Sequence, residues 1–175
     1  MSRPHIATEI NVLPDVLGAK LKVVFCGTTT GVASVRAGAC YAGPGNRSWD
    51  ILYEVNFTPY LLKPLKFNWL PKHRIALTDI VKSTFGSDAN LSEHDFISDR
   101  LRINMAKYAP RVLAFNSNQS SKAFLESPNI FCALQFICLG NTALFVLPST
   151  SGAARSFWDA KYWHNLAALL QNLRA

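Results

Sequence analysis

Acidic residues are scarce in this chain: 11 Asp and Glu stand against 18 Lys and Arg among 175 residues, leaving a formal net charge of +7. A surplus of that sign points to an anionic partner, with nucleic acid first among the candidates. Cysteine is sparse and wrongly spaced for metal. The four, Cys26, Cys40, Cys132 and Cys138, form no CxxC pair, and no histidines stand at ligand spacing, so neither a zinc site nor an iron-sulfur cluster is expected. Cys26, Cys132 and Cys138 lie in apolar runs and read as buried free thiols of a reduced, intracellular protein. A long hydrophobic run is also missing. The longest, Phe131 to Pro148, is cut by Gln135, Gly140, Asn141 and Thr142, whereas a membrane span takes about 20 apolar residues. Pro4, Glu9, Pro14 and Asp15 argue against a signal peptide. Neither GxGxxG nor the phosphate-loop lysine motif occurs, which removes support for a generic nucleotide-binding protein.

What is present fits one domain over residues 1–175, since 49% of residues are hydrophobic and 17% charged, enough for an ample core. Val23 to Cys26 is a short unbroken apolar run, which predicts a strand buried on both faces of a parallel sheet. A polar turn, Gly27 to Gly31, then leads into a long Gly- and Pro-rich loop ending at Asn46. Trp49, Leu52, Tyr53 and Phe57 recur at helical steps behind Asn46, which is placed to cap. Arg74 to Val81 reads as a second strand with its exit. Ser92 to Asp95 resembles a capping box for a helix that runs to about Tyr108, ahead of Pro110. Val112 to Phe115 is a third strand, followed by a helix around Ser121 to Leu125. Phe131 to Leu139 and Thr142 to Leu147, joined at Gly140-Asn141, predict an antiparallel pair. Ser156 to Asp159 is a second box-like pattern, expected to open a last helix whose apolar face is Phe157, Tyr162, Leu166, Leu169, Leu170 and Leu173. Strands alternating with helices predict an α/β fold, three-layered around a mostly parallel sheet. Four loops are then expected to meet in one cleft at the carboxyl ends of the strands: Gly27 to Asn46, Thr78-Asp79, Phe115 to Ser117, and Pro148 to Arg155.

The run Val24-Phe25-Cys26-Gly27-Thr28-Thr29-Thr30-Gly31, followed by Tyr41-Ala42-Gly43-Pro44-Gly45-Asn46-Arg47-Ser48-Trp49, resembles the first motif of the mismatch-specific uracil and thymine DNA glycosylases. Leu147-Pro148-Ser149-Thr150-Ser151-Gly152-Ala153-Ala154-Arg155 resembles their second, and the similarity spans about residues 12 to 175. The resemblance implies a monomeric, cofactor-free and metal-free enzyme that flips uracil out of DNA and hydrolyses its bond to the sugar, leaving an abasic site. It also implies base-binding by Gly27, Thr28, Thr30, Tyr41 and Asn46, with Tyr41 stacking on the flipped base. DNA-binding falls by the same resemblance to Arg47, Ser149, Ser151, Gly152, Ala153 and Arg155. Lys63, Lys66, Lys72 and Arg74, interleaved with Phe67 and Trp69, are further candidates for phosphate contact.

The sequence departs from the family pattern at the water-positioning Asn of the first motif, where Thr29 stands. A threonine hydroxyl is shorter than a carboxamide and stiff at χ1. Asp79, at the end of a predicted strand, is the preferred substitute, able to orient water and to stabilise a cationic sugar. It is equally readable as a plain strand-end residue. Asn116 ranks below it. Two other readings follow from the altered motif: a catalytically weak module that binds abasic or damaged DNA, and a glycosylase for another deaminated base such as hypoxanthine.

Overall fold

A computed structural model describes residues 12–173; the reading of the amino-terminal segment at Pro4 and Glu9 lies outside them. Five strands form one sheet in the order β2-β1-β3-β5-β4. They are β1 (Val23–Gly27), β2 (Ile75–Asp79), β3 (Val112–Phe115), β4 (Ala133–Leu139) and β5 (Thr142–Val146). The first three and β5 run parallel, and β4 joins the edge antiparallel to β5. The predicted α/β class and the terminal hairpin therefore both hold.

Every residue of β1 is buried, and the period-two alternation of a strand sends its side chains to opposite faces. Val23 and Phe25 face one core with Trp49, Ile51 and Leu52 of α2 (Ser48–Glu54) and Trp163, Leu166 and Leu170 of α5 (Lys161–Asn172). Val24 and Cys26 face the other, with Leu101 and Met105 of α3 (Ser98–Tyr108) and Phe124 of α4 (Asn118–Leu125). The Phe25 and Trp163 rings stack at 5.2 Å, as Phe115 and Phe124 approach at 5.2 Å in the second core. A short helix, α1 (Val32–Ala37), leads from β1 into the Gly/Pro loop. No described helix is long and apolar enough to cross a membrane.

Several local expectations are corrected. The Ser92–Asp95 box forms, with the Ser92 amide and hydroxyl both donating to Asp95 Oδ2. It closes a single 3-10 turn, however, ahead of α3, which starts at Ser98. Helix α2 stops at Glu54 because Asn56 takes a left-handed φ of +58°, so Phe57 returns to the core beyond the helix. The Ser156–Asp159 box does not form: Gly152–Phe157 is a 3-10 segment, and Asp159 instead accepts from the amide of Lys161. Phe157 consequently lies outside the helix and is exposed, Leu173 at the other end of α5 is exposed as well, and Trp163 is buried in the core. Cys138 is exposed and Cys132 half-buried, because β4 is an edge strand with little packed over it; only Cys26 of the three is buried.

Trp163 is the largest fully buried side chain and bridges α5 to β1. Trp163→Ala is expected to lower unfolding free energy by roughly 3–5 kcal/mol, read from urea denaturation followed by far-ultraviolet circular dichroism.

Candidate active site

In an open α/β sheet the crevice for a ligand lies where successive connections leave in opposite directions. Here that place is between β1 and its neighbour β3, because the chain goes from β1 to β2 on one side and then returns to β3 on the other. A cleft of about 1210 Å³ opens there, and all four predicted loops contribute to its wall.

Backbone hydrogen bonds carry the sheet register past the strand ends. The Ile80 and Val81 amides donate to the carbonyls of Gly27 and Thr28, and the Gly86 amide donates to that of Thr30. The loops leaving β1 and β2 therefore form one rigid wall. Each Thr hydroxyl of the β1 loop fastens a different neighbour. Thr28 donates to Ser117 Oγ at 2.8 Å, Thr29 to the Thr84 carbonyl at 2.7 Å, and Thr30 to Asp79 Oδ2 at 3.1 Å. Ser117 in turn caps α4, accepting from the amides of Gln119 and Ser120.

Gly27 is required by close approach. A Cβ there would lie 2.4 Å from Asp79 Oδ1 and 3.2 Å from the Tyr41 hydroxyl, so only glycine lets these two side chains converge over the end of β1. Tyr41 itself has a left-handed φ of +54°, the kind of backbone strain that collects at functional sites. Its hydroxyl is buried and makes no hydrogen bond of proper geometry. Burial pushes the Tyr41 phenol up, the Asp79 charge adds to the rise, and the nearby Asn116 carboxamide offsets only part of it. It therefore remains a neutral phenol, on a residue that lines the cleft.

Asp79 is held in a way the sequence did not reveal. Burial raises its pKa above the ordinary carboxylate value, against the opposing pull of the Lys82 ammonium and the Thr30 hydrogen bond. Lys82 is buried and pairs with Asp15 at 2.9 Å while donating to the Leu13 carbonyl at 2.8 Å. Arg100 completes the group, reaching Asp15 Oδ2 at 3.1 Å and the Asp79 carbonyl at 3.2 Å. Asp15 also accepts from Thr78 at 2.7 Å. Lys82, Asp15 and Arg100 were not singled out by motif, since each comes from a separate segment and only the fold gathers them.

The second motif loop is bound to the first. Asn116 holds Thr150 at both ends of its carboxamide, at 2.9 and 3.1 Å, and Ser48 meets the same Thr150 hydroxyl at 2.6 Å. The Arg47 amide donates to the Thr150 carbonyl. A Cβ on Gly152 would fall 2.7 Å from the Pro44 carbonyl oxygen, so this glycine permits the two loops to touch. Asn46 accepts from the Ser48 amide, closing the turn ahead of α2. Ser149, Ser151, Gly152 and Ala153 line the cleft, while Arg47 and Arg155 share a smaller adjoining pocket.

The remaining basic candidates are elsewhere. Lys72 and Arg74 immediately precede β2, at the opposite end of the sheet from the cleft. Lys66 and Lys72 flank Trp69 at 4.5 and 5.0 Å, and Arg74 donates to the Lys20 carbonyl; none of these lines the cleft. Cys40 does line it, but burial pushes its thiol up to about 12, so it is no thiolate nucleophile. Among the described residues no group of three His, Cys, Asp or Glu side chains is placed to hold a metal.

Comparison with known proteins bears on the family and the fold. Residues 14–173 match the family model of the uracil DNA glycosylase superfamily. The fold is similar to the solution structure of a proposed uracil DNA glycosylase from Methanosarcina acetivorans, with a TM-score of 0.63 at 21% identity over 93% of this chain and 97% of that one. At that identity the likeness speaks for the fold alone.

A carboxyl whose pKa is raised by folding binds its proton more tightly in the native state. Stability then falls as pH rises from the ordinary carboxylate range through the folded pKa, and the deficit persists at neutral pH. Asp79→Asn keeps an acceptor for Thr30 and removes the charge. It is expected to raise the urea midpoint near neutral pH, with the gain shrinking as pH falls through the folded pKa and vanishing below the ordinary carboxylate range.

Proposed function

Because the chain belongs to the uracil DNA glycosylase superfamily, we propose that it is a monofunctional glycosylase that extrudes uracil from DNA and hydrolyses the N-glycosidic bond. The observation that carries this reading is the convergence of the Asp79 carboxylate and the Tyr41 hydroxyl over Gly27, inside a cleft walled by both motif loops.

In this mechanism the bond between C1′ and the base nitrogen breaks with its electron pair departing on the base. The sugar becomes cationic, and the base becomes an anion until it takes up a proton. The backbone of Thr28 to Gly31, fixed by three threonine hydrogen bonds, is suited to present fixed dipoles to the uracil carbonyls, where the negative charge grows. Asp79 in its ionised form faces the sugar, stabilises the cation and orients a water whose oxygen bonds to C1′, the released proton passing to solvent. Tyr41 stacks against or hydrogen-bonds the flipped base; its unpartnered hydroxyl favours a role as donor. Thr29 spends its hydroxyl hydrogen on Thr84, which leaves Asp79 as the group for water. Arg47 and Arg155 meet the backbone phosphates beside the cleft. Hypoxanthine-containing DNA is the second substrate to assay.

Single-turnover release of uracil from single- and double-stranded oligonucleotides, followed by alkaline cleavage, tests this. Asp79→Asn is expected to slow release by roughly 10²–10³-fold, and Thr29→Ala by less than about tenfold, the loss of one ordinary hydrogen bond. Gly27→Ala should cost about 10²-fold by displacing the carboxylate. The wild-type rate should climb with pH as Asp79 ionises, and that rise should vanish in Asp79→Asn. No release of uracil by the wild type at any pH or salt concentration overturns the reading, and tight binding of abasic DNA without release would leave a binding module.

A further inference from the structure

Two phenylalanines stand at the rim of the cleft, largely uncovered by the described residues. Phe131, just before β4, and Phe157, at the end of the 3-10 segment that carries the second motif loop, are each 80% exposed, and both line the cleft. Single exposed apolar side chains are ordinary, but two exposed rings on the wall of one cleft are the kind of apolar surface that marks a binding groove.

The chemistry of the rim narrows what that is. From Ser127 to Ala154 the chain has no charged side chain, so on this side the cleft offers a polyanion apolar surface rather than ion pairs. Phosphates are not matched by such a surface, but the faces of bases are. The charges next to Phe157 in the chain are Arg155, in the adjoining pocket, and Asp159, an acid on the cleft wall that would turn a phosphate away. Extruding a nucleotide also leaves a gap in the base stack, and proteins fill such gaps with apolar wedges. Ala153, on the same loop, presents a single methyl, too short to span a vacated base position. The next apolar side chain along that loop beyond the two alanines is Phe157.

We propose that Phe131 and Phe157 form an aromatic clamp for the DNA bases flanking the extruded nucleotide, with Phe157 rather than Ala153 filling the vacated stack. This assignment rests on the glycosylase reading for its substrate, but it makes a claim about binding that is measured without turnover. Phe136 is the internal control: it is fully exposed on β4 and is not part of the cleft wall.

The experiment is fluorescence anisotropy with a duplex containing a stable tetrahydrofuran abasic analogue, and with the same duplex carrying 2-aminopurine beside the analogue. Phe157→Ala and Phe131→Ala are each expected to weaken binding by roughly tenfold and to reduce the unstacking signal of 2-aminopurine. Phe157→Trp should restore both signals, and Phe136→Ala should leave them at wild-type values. Wild-type affinity in both cleft variants overturns the proposal, as does an equal loss in Phe136→Ala or a wild type that does not bind the duplex. Failure of uracil release with the binding pattern intact would instead overturn only the glycosylase reading, leaving the clamp in place.

Discussion

A partly ionisable carboxylate set into a nearly dry corner is the constraint around which the rest of this molecule is arranged. Burial raises the pKa of Asp79 by penalising its charged form. The Lys82 ammonium and the Thr30 hydroxyl pull the other way. Lys82 is itself buried and needs Asp15, which needs Arg100 and Thr78. A buried charge without its partner costs several kcal/mol, so the charges must be placed as a set. Here the carboxyl end of β2, the segment before β1 and the start of α3 are pinned together to supply that set. The same contacts that keep Asp79 poised also lock the floor of the cleft.

The strand order makes this arrangement possible. Parallel β1 and β2 end in register, Gly27 beside Asp79, so the smallest residue of one strand faces the carboxylate of the next. On the other side of β1, β3 delivers Asn116 and Ser117 to the same end of the sheet. Asn116 spends both ends of its carboxamide on Thr150 and so ties the second motif loop to the strand ends. The carboxyl ends of the strands thereby fix the two motif loops relative to one another. Preorganisation of this kind is where a glycosylase gains rate, because fixed dipoles need no rearrangement as charge develops.

Much of this was legible in the sequence, for a physical reason. Val23 to Cys26 and Val112 to Phe115 are too short and too uniformly apolar to be anything but doubly buried strands, and the four loops behind the strands were readable as one cleft from the parallel pattern alone. Asp79 was visible by its place at a strand end. The hidden parts are those that depend on contacts distant along the chain. Lys82 looks like a solvated charge until Asp15 and the Leu13 carbonyl are set beside it. Phe157 looked like the first turn of an amphipathic helix, and the expectation failed because Gly152 is held against Pro44 and the loop winds as a 3-10 segment instead. Cys138 and its neighbours read as core because composition does not distinguish an edge strand from a central one.

The electrostatics of the surface and of the cleft serve opposite ends. A net charge of +7 draws a polyanion from a distance and does so less at high salt. Acidic Asp79 and Asp88 face the cleft interior, where a phosphate would be repelled, and burial favours the protonated form of each. On the proposed reading, attraction brings the DNA backbone to the rim near Arg47 and Arg155, while the interior favours a neutral group. A flipped base satisfies both conditions at once, because it carries little charge and its sugar becomes cationic only as the bond breaks. In the proposed mechanism a negative charge on Asp79 stabilises the transition state more than the ground state, which is the difference that accelerates a reaction.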